Sequence, residues 1–121
     1  MGAVLREVSV DCNNPRLVAE FWGQVLGWEV QDNGDVLWMS ASGAPFPDLL
    51  IVFAPVPEGK TVKNRVHLDV SPVGCERDEE VERLLALGAQ RVDVGQGEQP
   101  WVVMADPEGN EFCVLGRRAD L

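Results

Sequence analysis

Polar and apolar residues alternate in two short runs that start sixty positions apart, Glu7-Val8-Ser9-Val10-Asp11 and His67-Leu68-Asp69-Val70-Ser71. Alternation of this kind marks a half-buried strand. After the first run the period lengthens: Leu17, Val18, Phe21, Val25 and Leu26 recur at helical spacing and form one apolar face. Asn14 is placed to cap that helix, Pro15 to take its first position and Gly27 to close it in the left-handed conformation. A short strand is expected at Trp28-Glu29-Val30. Asp32-Asn33-Gly34-Asp35 then signals a tight hairpin into a strand over 36–40. A loop at 43–48 leads to a further strand over 49–53, and the Pro-, Gly- and Lys-rich stretch from Pro55 to Asn64 reads as a linker. The order then repeats. A strand is expected over 65–71 and a helix over about 77–87 with Val81, Leu84 and Leu85 inward. Strands follow at 89–92, 101–105 and 111–115, the last two joined by the turn Asp106-Pro107-Glu108-Gly109-Asn110. One supersecondary unit, strand–helix–three strands, is written twice.

Alternation also sorts the side chains by face. Val8, Val10, Val66, Leu68, Val70, Val102, Met104, Phe112 and Val114 should pack under the helices, with Leu50 and Val52. The opposite face would carry Glu7, Ser9, Asp11, Arg65, His67, Asp69, Trp101, Val103, Glu111 and Cys113, together with Trp38, Leu49, Ile51 and Phe53. A face that mixes charge, a histidine, a thiol and tryptophans points to a ligand cleft.

Composition narrows the classes. The chain of 121 residues is long enough for one domain with a real core, and small enough that a second subunit would help it. Its formal charge of −10, from 20 acidic and 10 basic residues, excludes the basic surfaces that nucleic acids and anionic membranes select. No apolar run approaches the ~20 residues of a membrane span, and the N-terminus has no signal-peptide pattern. Cys12, Cys75 and Cys113 have no zinc-like spacing, so reduced thiols in a cytoplasm are expected.

The doubled βαβββ order, the segment Phe21-Trp22-Gly23-Gln24-Val25-Leu26-Gly27-Trp28, the strand Asn64-Arg65-Val66-His67-Leu68-Asp69-Val70 and the turn Asp106-Pro107-Glu108-Gly109-Asn110-Glu111-Phe112 resemble the vicinal oxygen chelate superfamily. That group includes glyoxalase I, bleomycin-resistance proteins and extradiol dioxygenases, and the chain is most similar to its small glyoxalase-like members. The resemblance implies an α+β fold of two tandem βαβββ modules. They would form a curved mixed sheet around a cleft with the helices outside. Residues 1–121 would be a single domain, with module one at about 1–56, a linker at 57–63 and module two at 64–121. Homodimeric assembly is also implied.

The resemblance further implies one metal ligand from the first and one from the last strand of each module. Those positions fall on Glu7, Ile51, His67 and Cys113. Ile51 has no ligand atom, so the metal set reduces to Glu7, His67 and Cys113. That departure weighs toward a metal-free site, with one divalent metal (zinc, iron, nickel or manganese) as the alternative. Glu7 and His67 are the candidate catalytic pair, since a carboxylate beside an imidazole can make it a general base near neutral pH. Trp38, Phe53, Arg65, Asp69, Trp101 and Cys113 are the candidate substrate contacts, with the aromatic rings as cleft walls and Arg65 for a carboxylate or phosphate. Trp22 and Trp28 are expected to be structural. The implied function is a small-molecule enzyme of lyase, isomerase or dioxygenase type acting on an oxygenated organic substrate. The alternative is a non-catalytic protein of the bleomycin-resistance type, which would sequester a cationic or aromatic drug.

Overall fold

A computed structural model describes residues 1–45 and 47–117. Position 46, in the loop expected at 43–48, and positions 118–121, at the end of the second module, lie outside the described residues. The chain divides into two compact units, Met1–Gly59 and Lys60–Leu121.

In the first unit β1 (Glu7–Cys12) leads into α1 (Pro15–Leu26), followed by β2 (Gln31–Asn33), β3 (Val36–Met39) and β4 (Leu50–Pro55). The strands lie in the order β1-β4-β3-β2, with β1 parallel to β4 and the other pairs antiparallel. The helix begins and ends where its sequence dictates. Asn14 Oδ1 accepts from the Leu17 N–H, Pro15 stands at the first position, and Gly27 adopts φ 70°. The expected strand at Trp28 is not formed, because the Trp28 N–H turns back to the Gly23 carbonyl at 3.0 Å. Phe21, Trp22, Val18 and Val25 are buried on α1, but Leu17 is exposed, because it lies at the rim of that stripe.

The second unit repeats the plan with β5 (Asp69–Val70), α2 (Arg77–Leu87), β6 (Gln90–Arg91), β7 (Val102–Ala105) and β8 (Glu111–Val114), in the order β5-β8-β7-β6. Glu76 and Glu79 form a reciprocal capping box at the start of α2, and Gly88 ends it. Val81 and Leu84 are fully buried, as are Met104, Phe112 and Val114 of the sheet. Side chains of this size contribute about 1.5–3 kcal/mol each by leaving water. No helix among the described residues is long and apolar enough to cross a membrane. None of the three cysteines forms a disulfide.

Two expectations about faces are corrected by register. Ladder partners stand side by side on one face of a sheet. In the β1–β4 ladder Val8 pairs with Ile51 and Val10 with Phe53, whereas Glu7 pairs with Leu50 and Ser9 with Val52. Ile51 and Phe53 therefore belong to the helix-packed face, and Leu50 and Val52 to the face of Glu7. The second correction concerns the strand expected over 65–71, which shrinks to Asp69–Val70. Residues Arg65 and Val66 form a bend, and Val66 is exposed rather than packed.

Beyond the end of that ladder, the segment before His67 is held to β8 through a side chain instead. Glu111 accepts from the Asn64 N–H and from Lys60 Nζ, both at 2.9 Å. Partial burial acts to raise the Glu111 pKa, but these two donors, with Glu111's own N–H and the Lys60 charge, outweigh it and hold the carboxyl below its ordinary value. A depressed carboxyl stabilises the fold above its unfolded pKa, and that contribution is lost as pH falls through the folded value. Glu111→Gln should therefore be less stable than wild type at neutral pH by about 1–3 kcal/mol. In urea melts the gap should close once the wild-type carboxyl is protonated.

Candidate active site

The site-bearing part of the second unit is built by one hairpin and one short parallel pair. Asp106 is buried, and its Oδ1 accepts from the N–H groups of Glu108 and Asn110 at 2.9 and 3.0 Å. This fixes the turn between β7 and β8, and with it the register that pairs Val103 with Cys113. On its other side Cys113 pairs with Asp69, and the Cys113 N–H donates to the Leu68 carbonyl at 3.0 Å. Asp69 and Cys113 thus share one face, while Phe112 and Val114 go under α2. His67 stands two residues before Asp69, and its Nδ1 lies 2.9 Å from Asp69 Oδ1.

The result is a cluster of three unlike donors. His67, Asp69 and Cys113 each offer one ligand atom, and these atoms lie within 4.8 Å of one another. His67 and Asp69 are exposed, whereas Cys113 is only 8% exposed. Burial pushes the Cys113 thiol pKa up. Asp69 pushes it the same way, by its charge and by accepting a hydrogen bond from the thiol, and Lys63 offsets part of this. The sulfur is therefore a protonated thiol at neutral pH and not a ready nucleophile. A cation among these donors would supply the positive charge that favours the thiolate.

The remaining candidates are distributed as follows. Glu7 is exposed at the start of β1 in the first unit, where it accepts from Ser9 Oγ at 3.1 Å. Its ladder partner Leu50 offers no second ligand at that level, and Ile51 faces the helix. Trp38 is half-buried and pairs with Val52, which places it on the Glu7 face, as expected. Phe53 is completely buried beside Val10 and Leu37, so it is a core residue and not a substrate contact. Arg65 is exposed in the bend. Trp101 is 36% exposed and lines a surface concavity in the second unit. Asp69, expected as a substrate contact, stands in the donor cluster. The His-x-Asp spacing was the available signal, although His67 itself precedes β5. Lys63, whose charge reaches Cys113, carries no such signal.

Two βαβββ units, each with a mixed four-stranded sheet and a helix, are the fold of the vicinal oxygen chelate proteins. The chain belongs to the glyoxalase-like domain family, whose model matches residues 7–115. Among solved structures it is similar to a glyoxalase/bleomycin resistance protein/dioxygenase family enzyme from Burkholderia phytofirmans PsJN. That match has 19% identity, 93% of this chain and 97% of that chain covered, and a TM-score of 0.69. It is also similar to a mutant fosfomycin resistance protein from Listeria monocytogenes, complexed with Mn(II) and a dihydroxypropylphosphonic acid. There the identity is 17%, with 99% and 94% covered and a TM-score of 0.70. A fosfomycin resistance protein from Mesorhizobium loti matches at 11% identity, with 92% and 88% covered and a TM-score of 0.64. At these identities the likeness is one of fold. No curated protein matches the chain in sequence.

Proposed function

We propose that this chain is a small-molecule enzyme of the glyoxalase-like type, acting on an oxygenated organic substrate, such as a carbonyl or hydroxy compound, at the His67–Asp69–Cys113 cluster. The observation that supports this most is the convergence of an imidazole, a carboxylate and a sulfur within 4.8 Å, the last two paired on one sheet face. The donor set fits a divalent ion. Three protein ligands of these types leave coordination positions open, the pattern of catalytic rather than structural zinc sites. The sulfur turns the preference toward zinc or iron and away from manganese. His67, Asp69 and Cys113 would hold the ion, and when bound it would polarise an oxygen of the substrate.

The protein's own groups prepare that role. Asp69 accepts from the His67 Nδ1–H, which fixes the ring and leaves the imidazole lone pair on Nε2. Buried Cys113 is shielded from water and from oxidants, so its sulfur is kept for a ligand role. Trp38 would serve as an aromatic wall.

The test is a panel of carbonyl and hydroxy compounds offered to the zinc-loaded protein. Any compound turned over by wild type should be turned over at least about 100-fold more slowly by His67→Ala. Thermal melts of the two proteins should coincide, since His67 is exposed. Full activity in His67→Ala, or no turnover of any compound by the loaded protein, would contradict the proposal.

A further inference from the structure

His67 stands in a stretch with no ladder of its own, since pairing with β8 begins only at Asp69. Two bonds hold that stretch to β8 from either side. Downstream, the Cys113 N–H donates to the Leu68 carbonyl at 3.0 Å. Upstream, the Asn64 N–H donates to Glu111 Oε1 at 2.9 Å. Between these anchors the backbone bends at Arg65 and Val66 before it reaches His67. The bond from the imidazole to Asp69 joins two side chains that are 39% and 43% exposed. A contact so open to water contributes little by itself, because it must first order both groups. The direction of the ring therefore depends on where the backbone at residue 67 is held.

The upstream anchor has a firm base. Glu111 directly follows the turn that Asp106 fixes, and it pairs with Ala105 across the β7–β8 ladder. Its second carboxylate oxygen, Oε2, accepts from Lys60 Nζ at 2.9 Å. The Lys60 and Glu111 side chains are only 19% and 14% exposed, and a sheltered ion pair is screened far less than an open one. One carboxylate thus ties residues 60 and 64 to the first residue of β8. Glu111 lies two residues before Cys113 on that strand, so the tie is made on the face that carries the sulfur.

We infer that Glu111 is a positioning residue, whose carboxylate clamps the segment before His67 to β8 and so keeps the imidazole turned to Asp69 and beside Cys113. The inference rests on the proposed role of the His67–Asp69–Cys113 cluster. It adds a fourth side chain, one that acts only through His67.

The chain has a single histidine, so the ring nitrogens of His67 give the only imidazole signals in a long-range proton–nitrogen NMR spectrum. In mildly alkaline buffer, where imidazoles are neutral, wild type should carry the ring proton on Nδ1 and none on Nε2, as the bond to Asp69 requires. Glu111→Ala should lose that signature, its two nitrogens drawing together in shift as the proton divides between them. Glu111→Gln keeps an acceptor oxygen for the Asn64 N–H and should retain the signature. Zinc affinity, read by competition with a chromophoric chelator, should fall about tenfold or more in Glu111→Ala. Thermal melts accompany the spectra, because a role confined to stability would lower the melting temperature and leave the tautomer of the folded protein unchanged. An unchanged tautomer in Glu111→Ala, or a loss as complete in Glu111→Gln, would overturn the clamp even while the cluster bound zinc. The tautomer change in a protein whose wild type binds no zinc would uphold the clamp and overturn the metal reading of the cluster.

Discussion

A glutamate introduced at Leu50 should leave the protein folded, whereas one introduced at the next position, Ile51, should unfold it. The contrast follows from the β1–β4 ladder. Ile51 stands beside Val8 and opposite Met39 on the helix-packed face, and it is 7% exposed. A carboxylate there would be desolvated without a partner, at a cost of several kcal/mol. That is a large part of the 5–15 kcal/mol that typically holds a domain together. Leu50 is half-buried next to Glu7 on the other face. A second carboxylate there meets a like charge across the ladder, which costs only about 0.2–1 kcal/mol. Urea melts followed by circular dichroism distinguish the two. Comparable stability of both variants would mean that the register is wrong.

The second large effect concerns the sulfur. Cobalt(II) added to the purified chain should produce a thiolate-to-metal charge-transfer absorption, and Cys113→Ser should lack it. Zinc affinity should fall in that variant by about 100-fold, the equivalent of ~2.7 kcal/mol, because a neutral hydroxyl replaces a thiolate. Manganese, which gains little from sulfur, should be bound about equally by both proteins. Cys12 and Cys75 provide the internal control, since neither is part of the cluster. A charge-transfer band that survives in Cys113→Ser would place the metal elsewhere.

Much of the architecture could be read from the residues themselves. The start of α1 was legible because Asn14 and Pro15 have opposite but complementary roles, one accepting an orphan N–H and the other lacking one. The span of α2 and the turn at Asp106 were equally legible, since their signals are local. The face of β4 was not. Leu49-Leu50-Ile51-Val52-Phe53 is apolar throughout, so it has no period-two pattern, and only pairing with Val8 and Val10 decides which side chains go inward. This misplaced Phe53, which the sequence offers as a cleft wall and the fold uses as core. The opposite error occurred at Arg65 and Val66. Their alternation is regular, yet they form a bend and the strand begins only at Asp69, while Asn64 and Lys60 bond the Glu111 carboxylate in place of a ladder. In the site, the alternation put His67, Asp69 and Cys113 on one polar face, and the ladder places Asp69 and Cys113 together. The pairing of Asp69 with Cys113 was not legible, because it depends on the β5–β8 register.

The central claim is that the reactive centre is the second unit's own cluster of His67, Asp69 and Cys113. Its most direct test is zinc content by elemental analysis, after loading and exhaustive dialysis, in wild type and in His67→Ala, Asp69→Ala and Glu7→Ala. Wild type and Glu7→Ala should each retain about one zinc per chain, as a single three-ligand site requires. His67→Ala and Asp69→Ala should retain almost none. A wild type without zinc, or a Glu7→Ala protein as depleted as Asp69→Ala, would contradict the claim.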